Sequence, residues 1–330
     1  MPVTLWVYLC DLMPSIEAIT MPKYHVCRSI QIQESPQKVF ETVADFGTWT
    51  TWSPWLCAEP EAEVKVTENA SSVGSVYSWN GKLVGQGEIE HRKLEPGRLI
   101  DEEIRFVKPF KSRSDVAFEM EPVGDGTKLT WHMRGALPWF MFWMKPLMQS
   151  FISMDYDRGL KMLKEWIETG QILSKTQIRG VESIGPLRVA GVRRKCRLSE
   201  VGPSMQAGCA EAKNKLSENN LPTDGEMISV YHNFNLKSQV FDYTIGFAIP
   251  ETAISVPSDL SEWSLPAVKA LHVDHIGSYD HLGNAWSAAN QVARYKKLKQ
   301  SKVGAFEIYK NDPKETPVVG LLTEIYLPLR

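Results

Sequence analysis

Leu321-Leu322-Thr323-Glu324-Ile325-Tyr326-Leu327-Pro328-Leu329, close to the end of a 330-residue chain, sets one carboxylate in an almost wholly apolar run. Strand side chains alternate faces with a period of two, so Thr323, Ile325 and Leu327 form one row and Leu322, Glu324 and Tyr326 the other. An earlier stretch, Ile245-Gly246-Phe247-Ala248-Ile249-Pro250, repeats the pattern, and Val230-Tyr231-His232-Asn233 stands to Ile308-Tyr309-Lys310-Asn311 in the same relation. The half of the chain carrying both therefore reads as a duplication. Its first copy is strand 187–194, helix 205–216 and strands 228–232 and 242–250; its second is strand 267–275, helix 282–299 and strands 305–310 and 321–328. Two strand-helix-strand-strand units predict two helices on one face of a shared sheet and a groove on the other. The rows Ile245, Phe247, Ile249 and Thr323, Ile325, Leu327 are assigned to the helix face. Glu324 and Tyr326, matched to the small Gly246 and Ala248, are assigned to the groove.

Upstream, residues 24–33 read as a strand, and Ser35-Pro36 supplies an N-cap and a first-turn proline for a helix bearing Val39, Phe40 and Val43. The tryptophan-dense segment 46–55 reads as a short helix stopped by Pro54. Strand-sized pieces at 75–79, 85–94, 99–106, 115–121 and 127–134, separated by turns such as Asn80-Gly81 and Gly124-Asp125-Gly126, form an antiparallel meander. Residues 145–168 put Ile152, Tyr156, Leu160, Leu163 and Ile167 on one helical stripe. Trp139-Phe140-Met141-Phe142-Trp143-Met144, just before it, is too short to span a bilayer and reads as core packing or a cavity lid. The chain thus divides into a poorly structured leader at 1–22, a first domain at 23–170, a linker at 171–186 and a second domain at 187–330.

Composition is that of an ordinary soluble protein, with 43% hydrophobic and 23% charged residues and a net charge of −2, which gives no reason to expect nucleic acid as a partner. The basic runs Arg193-Arg194-Lys195 and Arg294 to Lys299 read as solvated faces. Five scattered cysteines without C-x-x-C spacing argue against a disulfide framework or zinc site and fit a cytoplasmic location. No run is long enough for a membrane span. In the 272–281 segment, strand alternation groups Asp274 with His272 and sends His275 to the other face, so no shared metal is expected, and no cofactor either. No Ser or Cys pairs with a His and Asp in a nucleophile motif.

Two family resemblances follow from these motifs. Trp52-Ser53-Pro54-Trp55, Tyr77-Ser78-Trp79-Asn80-Gly81, Gly126-Thr127-Lys128-Leu129-Thr130-Trp131 and Asp157-Arg158-Gly159-Leu160, in that order, resemble the polyketide-cyclase-like branch of the START/SRPBCC superfamily. That resemblance implies a helix-grip antiparallel sheet with a long C-terminal helix around a hydrophobic cavity, with Trp79, Tyr77 and Trp131 as candidate lining. His275-Ile276-Gly277-Ser278-Tyr279-Asp280-His281-Leu282-Gly283, Phe306-Glu307-Ile308-Tyr309-Lys310-Asn311-Asp312-Pro313 and Thr323-Glu324-Ile325-Tyr326-Leu327-Pro328 resemble the GyrI-like effector-binding domain. The overall expectation is an α+β protein, helix-grip first and pseudo-symmetric duplicated β-α-β-β domain second.

The second resemblance implies an aromatic pocket with an acidic residue that binds hydrophobic, amphipathic or cationic aromatic small molecules. Glu324 is the matching acid, with Tyr326, Tyr309, Glu307 and Tyr231 as companions. Stand-alone relatives that hydrolyse reactive compounds imply an alternative in which Glu324 acts with Tyr309. Regulators of the family carry a helix-turn-helix domain that this chain replaces, so direct DNA binding is not expected. Trp286 is expected in the core beneath its helix.

Overall fold

The structure, a computed structural model, describes residues 22–251 and 255–330. All but the last residue of the expected leader, 1–22, lie outside the described residues. The first half contains β1 (Lys23–Ile32), α1 (Pro36–Ala44), α2 (Trp49–Trp52), β2 (Glu63–Val66), β3 (Val76–Asn80), β4 (Gln86–Glu95), β5 (Leu99–Lys108), β6 (Ser112–Val123), β7 (Gly126–Ala136) and α3 (Lys145–Thr169). Its seven strands form one antiparallel sheet in the order β1-β7-β6-β5-β4-β3-β2. Ser35 caps α1 by accepting the Lys38 backbone N–H at 3.3 Å, and α3 ends where Gly170 takes a left-handed φ of 75°.

The stripe on α3 buries Tyr156, Leu160, Leu163 and Ile167 against this sheet. Trp131 sits at the centre of that contact, stacked on Tyr156 with centroids 3.9 Å apart and on Phe118 at 4.8 Å. Gly159 lets the helix come this close, because a Cβ there would fall 2.9 Å from the Trp131 ring. Tyr77 is buried in the same cluster and Trp79 packs on its margin. The resemblance made these three a cavity wall; Tyr77 and Trp131 instead occupy the packed interior. Trp139, Phe140, Phe142 and Trp143 are exposed, and only Met141 of that segment turns in to the core. The expected packing role therefore does not hold for those four rings.

The second half contains β8 (Lys175–Ile184), β9 (Leu187–Arg197), α4 (Val201–Glu218), β10 (Met227–Asn235), β11 (Val240–Ala248), β12 (Ser261–Leu265), β13 (Val268–Ile276), α5 (Leu282–Tyr295), β14 (Ala305–Tyr309) and β15 (Leu322–Pro328). They make an eight-stranded sheet ordered β12-β9-β11-β10-β14-β15-β13-β8, which has the duplicated units meeting at β10 and β14. The stretch expected as a linker, 171–186, is a correction: most of it is β8, an edge strand paired along its length with β13. Its polar, glycine-interrupted sequence reflects an edge with little to bury rather than a loop.

Cross-strand partners share a face, so the registers define a row across the sheet: Val192, Ile245, Ser229, Glu307, Ile325, Val273. Helix α4 covers its β9–β11 end through Ala212 and Leu216, and α5 covers its β13–β15 end through Ala285 and Ala289. The assignment of Ile245, Phe247, Ile325 and Leu327 to the helix side holds. The opposite face does not hold a groove, because the sheet curls and packs on itself: Val189, Trp263 and Leu265 meet Ile228, Phe306 and Tyr326.

The two halves touch where α3 meets the start of α5. Arg158 donates to Asn284 Oδ1 at 2.8 Å and to the Pro54 carbonyl at 3.2 Å, and the buried His281 lies 3.1 Å from Glu165. No helix of the described residues is long and apolar enough to cross a membrane.

Candidate functional site

Between α4 and α5 the middle of the sheet is left uncovered on the helix side, and the residue that the β10–β14 register places there is Glu307. It has no exposed surface. Its Oε2 accepts hydrogen bonds from Tyr309 at 2.6 Å and Tyr231 at 3.0 Å, and its Oε1 accepts one from the Trp286 indole N–H. Tyr309 comes from the same strand two residues on, Tyr231 from β10 and Trp286 from the first turns of α5. Ser229 Oγ lies 3.2 Å from the Tyr309 hydroxyl. Rings meet edge to face around the acid: Tyr231 and Trp286 at 5.1 Å and 82°, Tyr279 and Tyr309 at 5.8 Å and 85°. Met205 of α4 closes the other side.

The electrostatics of this site are unusual for a buried acid. Among the described residues no Lys, Arg or His pairs with Glu307, so its three partners are neutral donors. Loss of hydration outweighs those hydrogen bonds and raises its pKa above the ordinary carboxylate range. Burial, with the acid beside them, likewise raises Tyr231 and Tyr309 well above the usual phenol value. The site is thus a buried acid held by neutral donors among aromatic edges and faces, with no Lys, Arg or His beside it among the described residues. The site opens into a crevice of ≈ 3390 Å³ that continues across the domain junction to Trp55, Asp155 and Arg158. That is several times the roughly 300–1,000 Å³ of a single ligand pocket, because it joins the inter-helix site to the cleft between domains.

The expected pocket residues therefore separate into two groups. Glu307, Tyr309 and Tyr231 come together on the helix side of the sheet. Glu324 and Tyr326 do not join them: Glu324 pairs in register with Ile308 and Asp274, and Tyr326 with Phe306 and His272, all on the opposite face. There the Tyr326 hydroxyl donates towards Glu324 Oε2 at 3.1 Å and Glu182 Oε1 at 3.3 Å, and its ring stacks on His272 at 4.4 Å. Sequence reasoning missed Trp286 and Tyr279 as site residues. Both lie in the quoted 275–286 stretch, but a helix beside a sheet has a flank as well as an underside, and Trp286 uses the flank.

The family models that match this chain fall on its two halves. Residues 181–330 match the model of the GyrI-like small molecule binding domain, and residues 23–168 that of the polyketide cyclase / dehydrase and lipid transport family. Among solved structures, the EcmrR C-terminal domain is 18% identical over 48% of this chain and 99% of its own, with a TM-score of 0.38. CV1439 from Chromobacterium violaceum is 16% identical over 44% of this chain and 96% of its own, with a TM-score of 0.35. The Aha1 dimer from Colwellia psychrerythraea is 17% identical over 45% and 99%, with a TM-score of 0.34. No curated protein matches the chain.

Proposed function

We propose that the protein, whose residues 181–330 match the GyrI-like small molecule binding domain and residues 23–168 the polyketide cyclase / dehydrase and lipid transport family, captures lipophilic cationic or amphipathic small molecules at Glu307, in a sensing, sequestering or detoxifying role. One observation carries the reading: a buried acid held by Tyr231, Tyr309 and Trp286 with no cation beside it among the described residues. The ligand supplies the charge, and desolvation makes that pairing strong as well as selective. Glu307 replaces Glu324 as the counter-charge.

The raised pKa of Glu307 fixes a pH dependence. A cation prefers the ionised carboxyl, so affinity rises as pH climbs through the raised pKa and falls below it, with a proton released where the acid starts protonated. In the free protein the sign is opposite. The raised pKa contributes stability that is full below the ordinary carboxylate range and is lost as pH rises through the folded value. Calorimetric titration of a lipophilic monocation in buffers of different ionisation enthalpy, from pH 5 to 8, checks both the trend and the proton. Affinity that falls with rising pH contradicts the assignment.

A second reading rests on the 2.6 Å contact between Glu307 and Tyr309. A carboxylate of raised pKa is suited to take a proton from water while a neighbouring phenol positions or protonates an electrophile. The protein would then hydrolyse reactive small molecules without a cofactor. A screen of strained and electrophilic compounds decides it: turnover lost in both Glu307→Gln and Tyr309→Phe supports hydrolysis, and binding without turnover leaves capture alone.

A further inference from the structure

On the face of the sheet away from the pocket, His272, Asp274 and Glu324 each bring one ligand atom within 4.8 Å of the others'. His272 is 6% and Asp274 8% exposed. Each imidazole nitrogen faces a carboxylate oxygen, Nδ1 towards Glu182 Oε1 at 2.8 Å and Nε2 towards Asp274 Oδ1 at 2.7 Å. Neither contact has the geometry of a hydrogen bond, and Asp274 Oδ1 lacks a hydrogen-bond partner too. A neutral imidazole carries one N–H, so it can serve at most one of these carboxylates and turns a lone pair on the other. The cations nearby are loosely engaged. Arg179 stands 3.6 Å from Asp274, and Lys310 stands 3.8 Å from Glu324 while its closer partner is Glu226.

We propose that His272 Nε2, Asp274 and Glu324 bind a divalent first-row transition ion. On binding, a small turn of the ring brings Nδ1–H into line with Glu182 Oε1, now 2.8 Å away, and that bond fixes the ring's tautomer and orientation as a carboxylate behind a ligating histidine does. An ion about 2.1 Å from each donor needs them roughly 3.0–3.4 Å apart, so the 2.7 Å Nε2–Oδ1 contact opens by a few tenths of an ångström. One imidazole with carboxylates suits Zn²⁺, Mn²⁺ or Fe²⁺ rather than soft Cu(I). The Tyr326 hydroxyl stays on the far oxygen of Glu324, and the ion ties β13 to β15 directly and to the edge strand β8 through Glu182. This site is independent of the Glu307 pocket.

The test is titration of the full chain, freed of metal, with Zn²⁺ by calorimetry and with Co²⁺ by visible absorption. One equivalent should bind. The Co²⁺ spectrum should show d–d bands without thiolate charge transfer; thiolate bands would move the ion to the other His/Cys grouping, His25, Cys27 and His132, and overturn the proposal. His272→Ala should abolish binding, Glu324→Gln should weaken it at least a hundredfold and Glu182→Gln about 10- to 100-fold, while Cys27→Ser and Glu307→Gln leave it unchanged. Circular dichroism checks that each variant is folded, and Glu324→Gln, at a partly exposed position, carries the test should His272→Ala unfold. Absence of saturable binding by Zn²⁺, Co²⁺ and Mn²⁺ overturns it, as does unchanged affinity in Glu324→Gln.

Discussion

Glu307→Gln is expected to weaken binding of a lipophilic monocation by about 2–3 kcal/mol, roughly 30- to 150-fold, while leaving a neutral ligand of the same shape within a few-fold. The amide keeps the size of the side chain and an acceptor oxygen for the Trp286 N–H, and the Tyr231 and Tyr309 hydroxyls can turn to accept from its NH2, so the main loss is the charge. Each of the three donors that face Glu307 is neutral, so nothing in the pocket replaces the lost carboxylate. The variant protein should be no less stable near neutral pH, because ionising a wholly buried acid is costly and the raised pKa reports that cost. Fluorescence titration of a cationic dye and its neutral analogue against both proteins measures the effect. Equal losses for the two dyes would mean that Glu307 shapes the pocket without supplying its charge.

The second large effect lies in the other half. Trp131→Ala removes a ring that is 2% exposed and stacked between Tyr156 of α3 and Phe118 of β6, and should destabilise the first domain by about 3–5 kcal/mol. The cavity would open on the seam between helix and sheet, where Gly159 has already drawn the backbone close, so the site has little freedom to collapse. Denaturant unfolding followed by near-ultraviolet circular dichroism gives the change. Trp139→Ala is the matched control: the residue is 57% exposed, and removal of its side chain should shift stability by under about 0.5 kcal/mol.

Much of this architecture is legible in the sequence because it is written in periodicity. The α3 stripe, the meander and the two copies of β-α-β-β all show as spacing of apolar residues. Side-chain alternation also groups Glu307 with Tyr309 and sorts Ile325 from Glu324. It does not give the register between strands, and register decides the site. Ile325 sits opposite Glu307, so the acid in the less conspicuous strand lies on the helix side and Glu324 on the curled, self-packed side. The metal-ligand candidates repeat the point: His272 and Asp274 are adjacent on one face of β13, but the third donor arrives from β15 through pairing that no spacing within β13 reveals. The edge strand β8 escapes notice for a different reason. It buries little, and a strand that buries little has a weak apolar pattern.

The most direct test of the account is a crystal structure of the protein with tetraphenylarsonium, whose arsenic locates itself by anomalous scattering. The expected peak lies between α4 and α5, with phenyl rings against Tyr231, Tyr279 and Trp286 and the arsenic nearest the Glu307 carboxylate. A peak on the opposite face beside Glu324, with the inter-helix pocket unchanged, would contradict it.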